Sequence, residues 1–331
     1  METFKAFRLR ETAAGVSAAF ERVTLAELDP GEVTIRVLWS SVNYKDALAA
    51  TGKGRIIRRF PCIAGIDSAG TVVESADPRF RPGDPVICTS YDFGTARDGG
   101  YSEYVRVPAG WVVPLPTGLT LRESMILGTA GFTAGLAVMR MEANGLAPGN
   151  GPVLVNGATG GVGSIAIAIL ARRGHQVTAL TGKADQGDYL RKLGASEVLA
   201  RGEIDFRKVR PLEKSLWAGG IDNLGGPALA WLLANAKQGA PIASVGLAAS
   251  PELHTTVMPF ILRGVSLLGV DSGYTAMPVR AEVWRRLAAE YRPADLASFA
   301  REIPFDALPG AFDAFIDAAV TGRVVVAVGP Q

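Results

Sequence analysis

The sequence is poor in the residues on which metal and thiol chemistry rest: its 331 residues include 2 cysteines and 2 histidines. Cys62, Cys88, His175 and His254 stand far apart, without the paired C-x-x-C or H-x-x-x-H spacing of a zinc site. No metal is expected, and a zinc-dependent mechanism is disfavoured. Two cysteines could form at most one bridge, and without a secretory signal they are expected to be buried thiols. His175, at a helix-to-strand junction, and His254, in a polar loop, are expected to be structural or exposed. An excess of one charge is missing too. The chain carries 34 Lys and Arg against 32 Asp and Glu, a net +2, which gives no field for nucleic acid and no polybasic membrane anchor. No uninterrupted apolar run reaches the roughly eighteen residues of a membrane span. METFKAFRLR, at the start, lacks the apolar core and small-residue cleavage site of a signal peptide. A soluble, cytoplasmic protein that handles small molecules is expected, and a chain 48% hydrophobic and 20% charged is long enough for two cores.

Glycine, by contrast, is plentiful, and one cluster organises the chain: NGATGGVGS, residues 156–164. Pro152 to Val155 before it is short and β-branched and reads as a strand; Ile165 to Leu170 after it reads as a helix. Gly157, Gly160, Gly161 and Gly163 in the turn accept positive φ and, without a Cβ, let backbone N–H groups close on a phosphate at the positive end of the helix. A plain tight turn would look similar, so the context matters. Gln176 to Thr181 is a second strand, about twenty residues on, where an NAD site places a carboxylate for the ribose 2′-hydroxyl. No acid ends that strand. Instead Thr181, Gly182 and Lys183 follow, with Arg201 after a third strand candidate, Glu197 to Leu199. A hydroxyl and cations would hold a 2′-phosphate that a carboxylate would repel, which points to NADP(H). The alternative for Lys183 and Arg201 is solvated surface charge.

Residues 1 to 125 are dense in short runs broken by glycine and proline, with strand candidates at Glu32 to Leu38, Gly70 to Glu74, Pro85 to Thr89 and Tyr101 to Val107. Such spacing predicts a β-rich barrel or sandwich. Leu121 to Ala143 is helical in pattern and joins two domains. From Gly151 to Asp271 strands alternate with helical segments, with further strands at Ile221 to Leu224, Pro241 to Leu247 and Val265 to Asp271, the pattern of a doubly wound parallel sheet. Helices at Pro278 to Tyr291 and Leu308 to Val320 precede a last strand, Arg323 to Val328, expected to rejoin the first domain and leave a cleft between the two. The chain is thus read as α/β, with residues 1–125 and 276–331 forming a β-rich catalytic domain and residues 126–275 a Rossmann domain.

The order of β-rich domain, GxxGGVG unit and C-terminal return resembles the medium-chain dehydrogenase/reductase superfamily over almost the whole chain. WSSVNYKDALAATGKG (39–54), FPCIAGIDSAGTV (60–72), MILGTAGFTA (125–134), RPLEKSLWAGGID (210–222) and TTVMPFILRGVSLLGVDS (255–272) resemble its acrylyl-CoA reductase group, whose members are also labelled quinone oxidoreductases. The resemblance implies a GroES-like catalytic domain. Zinc-dependent relatives carry Gly-His-Glu where this chain has Gly65-Ile66-Asp67, which implies a zinc-free reductase. The implied reaction is NADPH-dependent reduction of the double bond of acryloyl-CoA to propanoyl-CoA, with hydride delivered to the β-carbon and a proton to the α-carbon. Family positions for the cofactor are Tyr44, Gly160, Gly161, Val162, Gly163, Thr181, Gly182, Lys183, Arg201, Leu247, Ile261 and Ser272; Leu247 and Ile261 read equally well as core residues. The tail VVVAVGPQ offers no polar side chain for a further contact short of its final glutamine.

Charge that develops on the thioester oxygen needs a donor, and Asn43 and Tyr44 are the candidates, because an amide and a phenol can both donate. Asp46 and Asp67 are the acids nearest the expected cleft; either could serve a proton relay, but both are expected to fix a turn by hydrogen bonds. The cluster Lys53, Arg55, Arg58 and Arg59 could meet the phosphates of coenzyme A, or could be a solvated loop. Two further functions stand beside enoyl-CoA reduction: a quinone or enone reductase that needs no CoA, and a non-catalytic NADPH-binding protein. A homodimer is expected, because the apolar run Val265 to Asp271 would otherwise form an unpaired edge strand.

Overall fold

The structure, a computed structural model, describes residues 3–329; Pro330 and Gln331 of the C-terminal tail and the first two residues of the N-terminal segment lie outside the described residues. The chain falls into two compact units. One comprises Met1–Thr129, Gly273–Arg285 and Leu296–Gln331, the other Ala130–Ser272 and Arg286–Asp295.

The first unit opens with an antiparallel hairpin of β1 (Thr3–Thr12) and β2 (Gly15–Thr24), paired from Thr3↔Thr24 to Thr12↔Gly15. There follow β3 (Val33–Val42), α1 (Tyr44–Ala50), β4 (Cys62–Ile63), β5 (Asp67–Ser75), β6 (Pro85–Thr89), β7 (Tyr104–Val107) and β8 (Val112–Pro114). The helix α2 (Leu121–Ala143) then runs out of the first unit and into the second. By length and composition α2 could cross a membrane, but 83% of its most apolar stretch is buried inside the protein, as befits a core helix.

In the second unit come β9 (Val153–Asn156), α3 (Gly161–Arg172), β10 (Val177–Thr181), α4 (Gly187–Lys192), β11 (Glu197–Ala200), β12 (Gly219–Asp222), α5 (Gly226–Ala234), β13 (Pro241–Ser244), α6 (Met258–Arg263) and β14 (Ser266–Gly269). All pairings are parallel, in the order β11-β10-β9-β12-β13-β14, the doubly wound arrangement that strand-helix alternation predicts. Leu154, Leu180, Trp217, Leu232, Ile242 and Val265 build its core.

Beyond α7 (Met277–Ala288), the chain adds β15 (Ala300–Pro304), α8 (Leu308–Ile316) and β16 (Arg323–Ala327). β16 does rejoin the first unit: it pairs antiparallel with β3 and parallel with β15, in a sheet ordered β15-β16-β3-β5-β6-β8 with β7 also on β3. Phe7, Leu9, Ile35, Phe305 and Phe312 pack in this unit's core. The expected bounds of α2 and β6 match the structure, whereas the β1–β2 hairpin was not anticipated.

One irregularity bears on function. Gly128 (φ 52°, ψ −156°) breaks α2 near its start. The break frees the Ile126 carbonyl and the Thr129 N–H, and both find buried partners in the first unit.

Candidate active site

The glycine turn of the second unit has the geometry that a phosphate cradle needs. β9 ends on the buried Asn156, Gly157 turns the chain at φ 57°, and α3 begins at Gly161 with Gly160 as its N-cap. A Cβ at Gly163 would collide with the Gly157 carbonyl oxygen, so the first turn of α3 closes against the loop only because that position is glycine. The N–H groups of Gly161, Val162 and Gly163 are those a helix leaves unbonded at its start. Beneath the loop, Asn156 donates to Asp222 at the end of β12, and Asn223 donates back to Asn156 through its backbone N–H (2.7 Å to Oδ1) and its amide (2.7 Å to the carbonyl). This lock between neighbouring strands has no motif that sequence inspection could pick out.

At the end of β10 the buried Thr181 hydroxyl accepts the Lys183 N–H (3.0 Å), and the Arg201 guanidinium lies 3.1 Å from where a Gly182 Cβ would stand. Burial pulls the Lys183 ammonium below its usual range, and Asp185 only partly offsets this. Leu247, Ile261 and Ser272 occupy the loop after β13, helix α6 and the loop after β14. Leu247 is 66% exposed and Ile261 71%, so neither is a core residue, and Ser272 is half-buried. Apart from Ile261, these expected cofactor residues of the second unit follow the carboxyl ends of parallel strands, where open α/β sheets bind ligands. The set fits a dinucleotide with a 2′-phosphate.

The first unit holds a buried polar cluster around the start of α1. Asn43 is the N-cap, in extended conformation, and Tyr44 the first helical residue. Asp46 accepts the Asn43 N–H (2.9 Å) and the Ile66 N–H (3.1 Å), fixing the turn. Asp67 accepts Ser41 Oγ (2.6 Å), Asn43 Nδ2 (2.8 Å), Thr129 Oγ1 (2.5 Å) and the Thr129 N–H freed by the helix break (3.0 Å). Burial first and the Asp67 charge second raise Asp46 to about 7. Arg323, the cation here, is fully buried, as is Tyr101, whose hydroxyl donates to the Ser41 carbonyl (3.1 Å) and whose burial holds it well above the usual phenol range.

The two candidate donors differ. Asn43 is 9% exposed, and its amide hydrogens go to Asp46 (3.2 Å) and Asp67 (2.8 Å) while its oxygen accepts from Arg323 (3.2 Å). Both hydrogens are committed, so as folded Asn43 has none to offer a ligand. Tyr44 is 49% exposed.

The basic cluster divides as well. Arg58 bonds to Asp92 and to the Tyr274 hydroxyl (3.0 Å), and Arg59 forms a fork with Asp29 (2.7 and 2.6 Å). Only Lys53 and Arg55 remain exposed without such a partner. Cys62 and Cys88 are free and buried, and burial pushes each thiol up to about 12. His175 is buried and His254 exposed beside Glu252.

Two family models match: the alcohol dehydrogenase GroES-like domain over residues 29–117, and the zinc-binding dehydrogenase over residues 161–289. Acrylyl-CoA reductase AcuI of Ruegeria pomeroyi is 48% identical over 318 residues, which cover 96% of each protein. The Bacillus subtilis protein YhfP, which carries a quinone oxidoreductase name, is 48% identical over 98% of each; its structure with NAD bound superposes with a TM-score of 0.96, at 47% identity over 99% of this chain and 100% of that one. The YhdH oxidoreductase of Salmonella enterica, in complex with NADP, has a TM-score of 0.96 at 47% identity, over 98% of this chain and 100% of that one. The zinc in the second model's name does not fit the residues present. Ile66 is no ligand, Asp67 is saturated by protein donors, and among the described residues no three of His, Cys, Asp and Glu converge.

Proposed function

Because the chain belongs to the medium-chain dehydrogenase/reductase superfamily, we propose that it is an NADPH-dependent enoyl-CoA reductase that converts acryloyl-CoA to propanoyl-CoA. The observation that carries this reading is the nearly full-length likeness to an acrylyl-CoA reductase. The pyrophosphate sits on the N–H groups of Gly161, Val162 and Gly163, while Gly160, expected from sequence to join them, donates its N–H to the Gly157 carbonyl (3.0 Å) and shapes the turn. Thr181, Gly182, Lys183 and Arg201 take the 2′-phosphate, the choice supported by the lack of a carboxylate ending β10. Tyr44, Leu247, Ile261 and Ser272 meet the nicotinamide end.

When bound, the cofactor supplies the hydride that the substrate's β-carbon receives. The chain's own part is electrostatic. Tyr44 donates to the thioester oxygen as charge develops there, a contribution commonly worth ~3 kcal/mol per donor. Asn43, expected from sequence to share that task, instead holds the start of α1 in place. Of the CoA cluster, Lys53 and Arg55 are the candidate phosphate contacts, because carboxylates already neutralise Arg58 and Arg59. The protein acts as a homodimer in the cytoplasm, where its free, buried thiols agree with a reducing compartment.

The ion pairs of Arg58 and Arg59 favour a second reading, a quinone reductase without CoA specificity. One assay separates the two: NADPH oxidation, followed by nicotinamide absorbance, with acryloyl-CoA, crotonoyl-CoA and a benzoquinone side by side and NADH as the control cofactor. A kcat/KM for acryloyl-CoA well above the others is expected. A faster quinone would replace the first reading with the second, and tight NADPH binding without turnover would indicate a non-catalytic protein.

A further inference from the structure

The cation of the buried cluster comes from the far end of the chain. Arg323 opens β16, and its fork reaches two segments of the first unit: Nε donates to the Ile126 carbonyl (3.0 Å) at the break in α2, Nη1 to the Val42 carbonyl and to Asn43 Oδ1 (3.2 Å each), and Nη2 to Ser41 Oγ (2.8 Å). Asp67 lies 3.8 Å from Nη2. A planar guanidinium with fixed donors determines where each of these acceptors stands; a lysine ammonium could not hold them all.

The consequence falls on Asn43. Its oxygen faces the guanidinium and its nitrogen faces two carboxylates, so the amide has one electrostatically allowed orientation. A flipped amide would set oxygen against both Asp46 and Asp67. Asn43 is also the residue from which α1 starts, and Tyr44 follows it directly. We infer that Arg323 is a positioning residue for Tyr44: through Asn43, the guanidinium sets the backbone from which the exposed phenol projects. Arg323 itself is buried, its guanidinium committed to protein acceptors. The inference rests on the reading above for why the aim of Tyr44 matters to the reaction, although its structural part stands apart from that reading.

The test uses full-length protein labelled with 3-fluorotyrosine and observed by 19F NMR without cofactor, with the Tyr44 resonance assigned from Y44F among the 7 tyrosines. In R323Q the Tyr44 line should shift or broaden while most other lines keep their folded positions; R323K, which keeps the charge but loses the fork, should fall between. S41A, which removes only the hydroxyl between Nη2 and Asp67, should move the same line less and keeps the test valid if R323Q fails to fold. An unmoved Tyr44 line in the folded variants overturns the inference. In turnover, R323K should lower kcat roughly tenfold to a hundredfold with KM little changed, the mark of a misaimed group. Should the parent enzyme fail to reduce enoyl-CoA substrates, the functional reading falls, and the Tyr44 resonance still decides whether Arg323 positions it.

Discussion

At position 46 a carboxylate is buried beside a second carboxylate, and that makes it the chain's clearest pH-sensitive group. Burial and the Asp67 charge lift its folded pKa from 3.8 to about 7, against the pull of the Asn43 and Ile66 N–H groups. The folded state therefore binds this proton more tightly than the unfolded chain does. Its contribution to stability is complete below about pH 4 and is lost as pH rises through about 7, a change of roughly 3–5 kcal/mol. D46N cannot ionise, so its urea midpoint should vary less with pH across this window than the parent's. Equal slopes for both proteins would place the titration elsewhere. Tyr44 poses the opposite case, a residue whose removal should cost activity and not stability. Its ring is half-exposed, so Y44F should melt like the parent, within about 0.5 kcal/mol. If the hydroxyl stabilises charge on the substrate, kcat should still fall by roughly a hundredfold. Unchanged turnover would remove Tyr44 as the donor.

At the scale of elements, the break in α2 is the point where the fold adapts to its polar cluster. A Cβ at Gly128 would stand 2.6 Å from Asp67 Oδ2 and 2.7 Å from both Arg323 Nη2 and Ser41 Oγ, at a φ of +52° that other residues rarely adopt. G128A should therefore cost roughly 3 kcal/mol or more, read as a fall in the urea midpoint; a neutral outcome would mean that the cluster can open without loss. Such a break is invisible in the sequence. MILGTAGFTA has the period and composition of one continuous helix, and the partners that interrupt it lie 61 and 195 positions from Gly128, at Asp67 and Arg323. The units of strand and helix from β9 to β14 were legible because each is a short apolar run bounded by glycine or charge. The hairpin of β1 and β2 was not, because its turn, Ala13-Ala14, lacks the Asn-Gly or Asp-Gly signal. The glycine turn and the cations proposed to hold the nucleotide form a local signal, since each lies within a few residues of a strand end. Asn43 was misjudged for the reverse reason: its commitment to Asp46, Asp67 and Arg323 is a matter of tertiary proximity.

For the whole molecule, we propose that the edge strand of the second unit sets the oligomeric state. β14 ends the six-stranded sheet, and from Val265 to Val270 it carries no charge and no proline, the usual guards of an exposed edge. Arg140 covers the Gly269 carbonyl, but Leu267 remains 36% exposed, and Val257 and Leu262 on the preceding segment are 63% and 54% exposed. A second copy is the natural partner for such an edge. A two-fold axis makes the contact self-complementary, so β14 would pair antiparallel with its own mate and bring both apolar segments together. Sedimentation at micromolar concentration should accordingly return about twice the chain mass of 34.7 kDa. L267K places a charge on that edge without touching the glycine cradle, and should shift the mass toward one chain while NADPH affinity, measured by quenching of protein fluorescence, stays near the parent's. A parent that sediments as a monomer would contradict the dimer outright. A dimer that survives L267K would place the contact on another surface and leave β14 with its edge open.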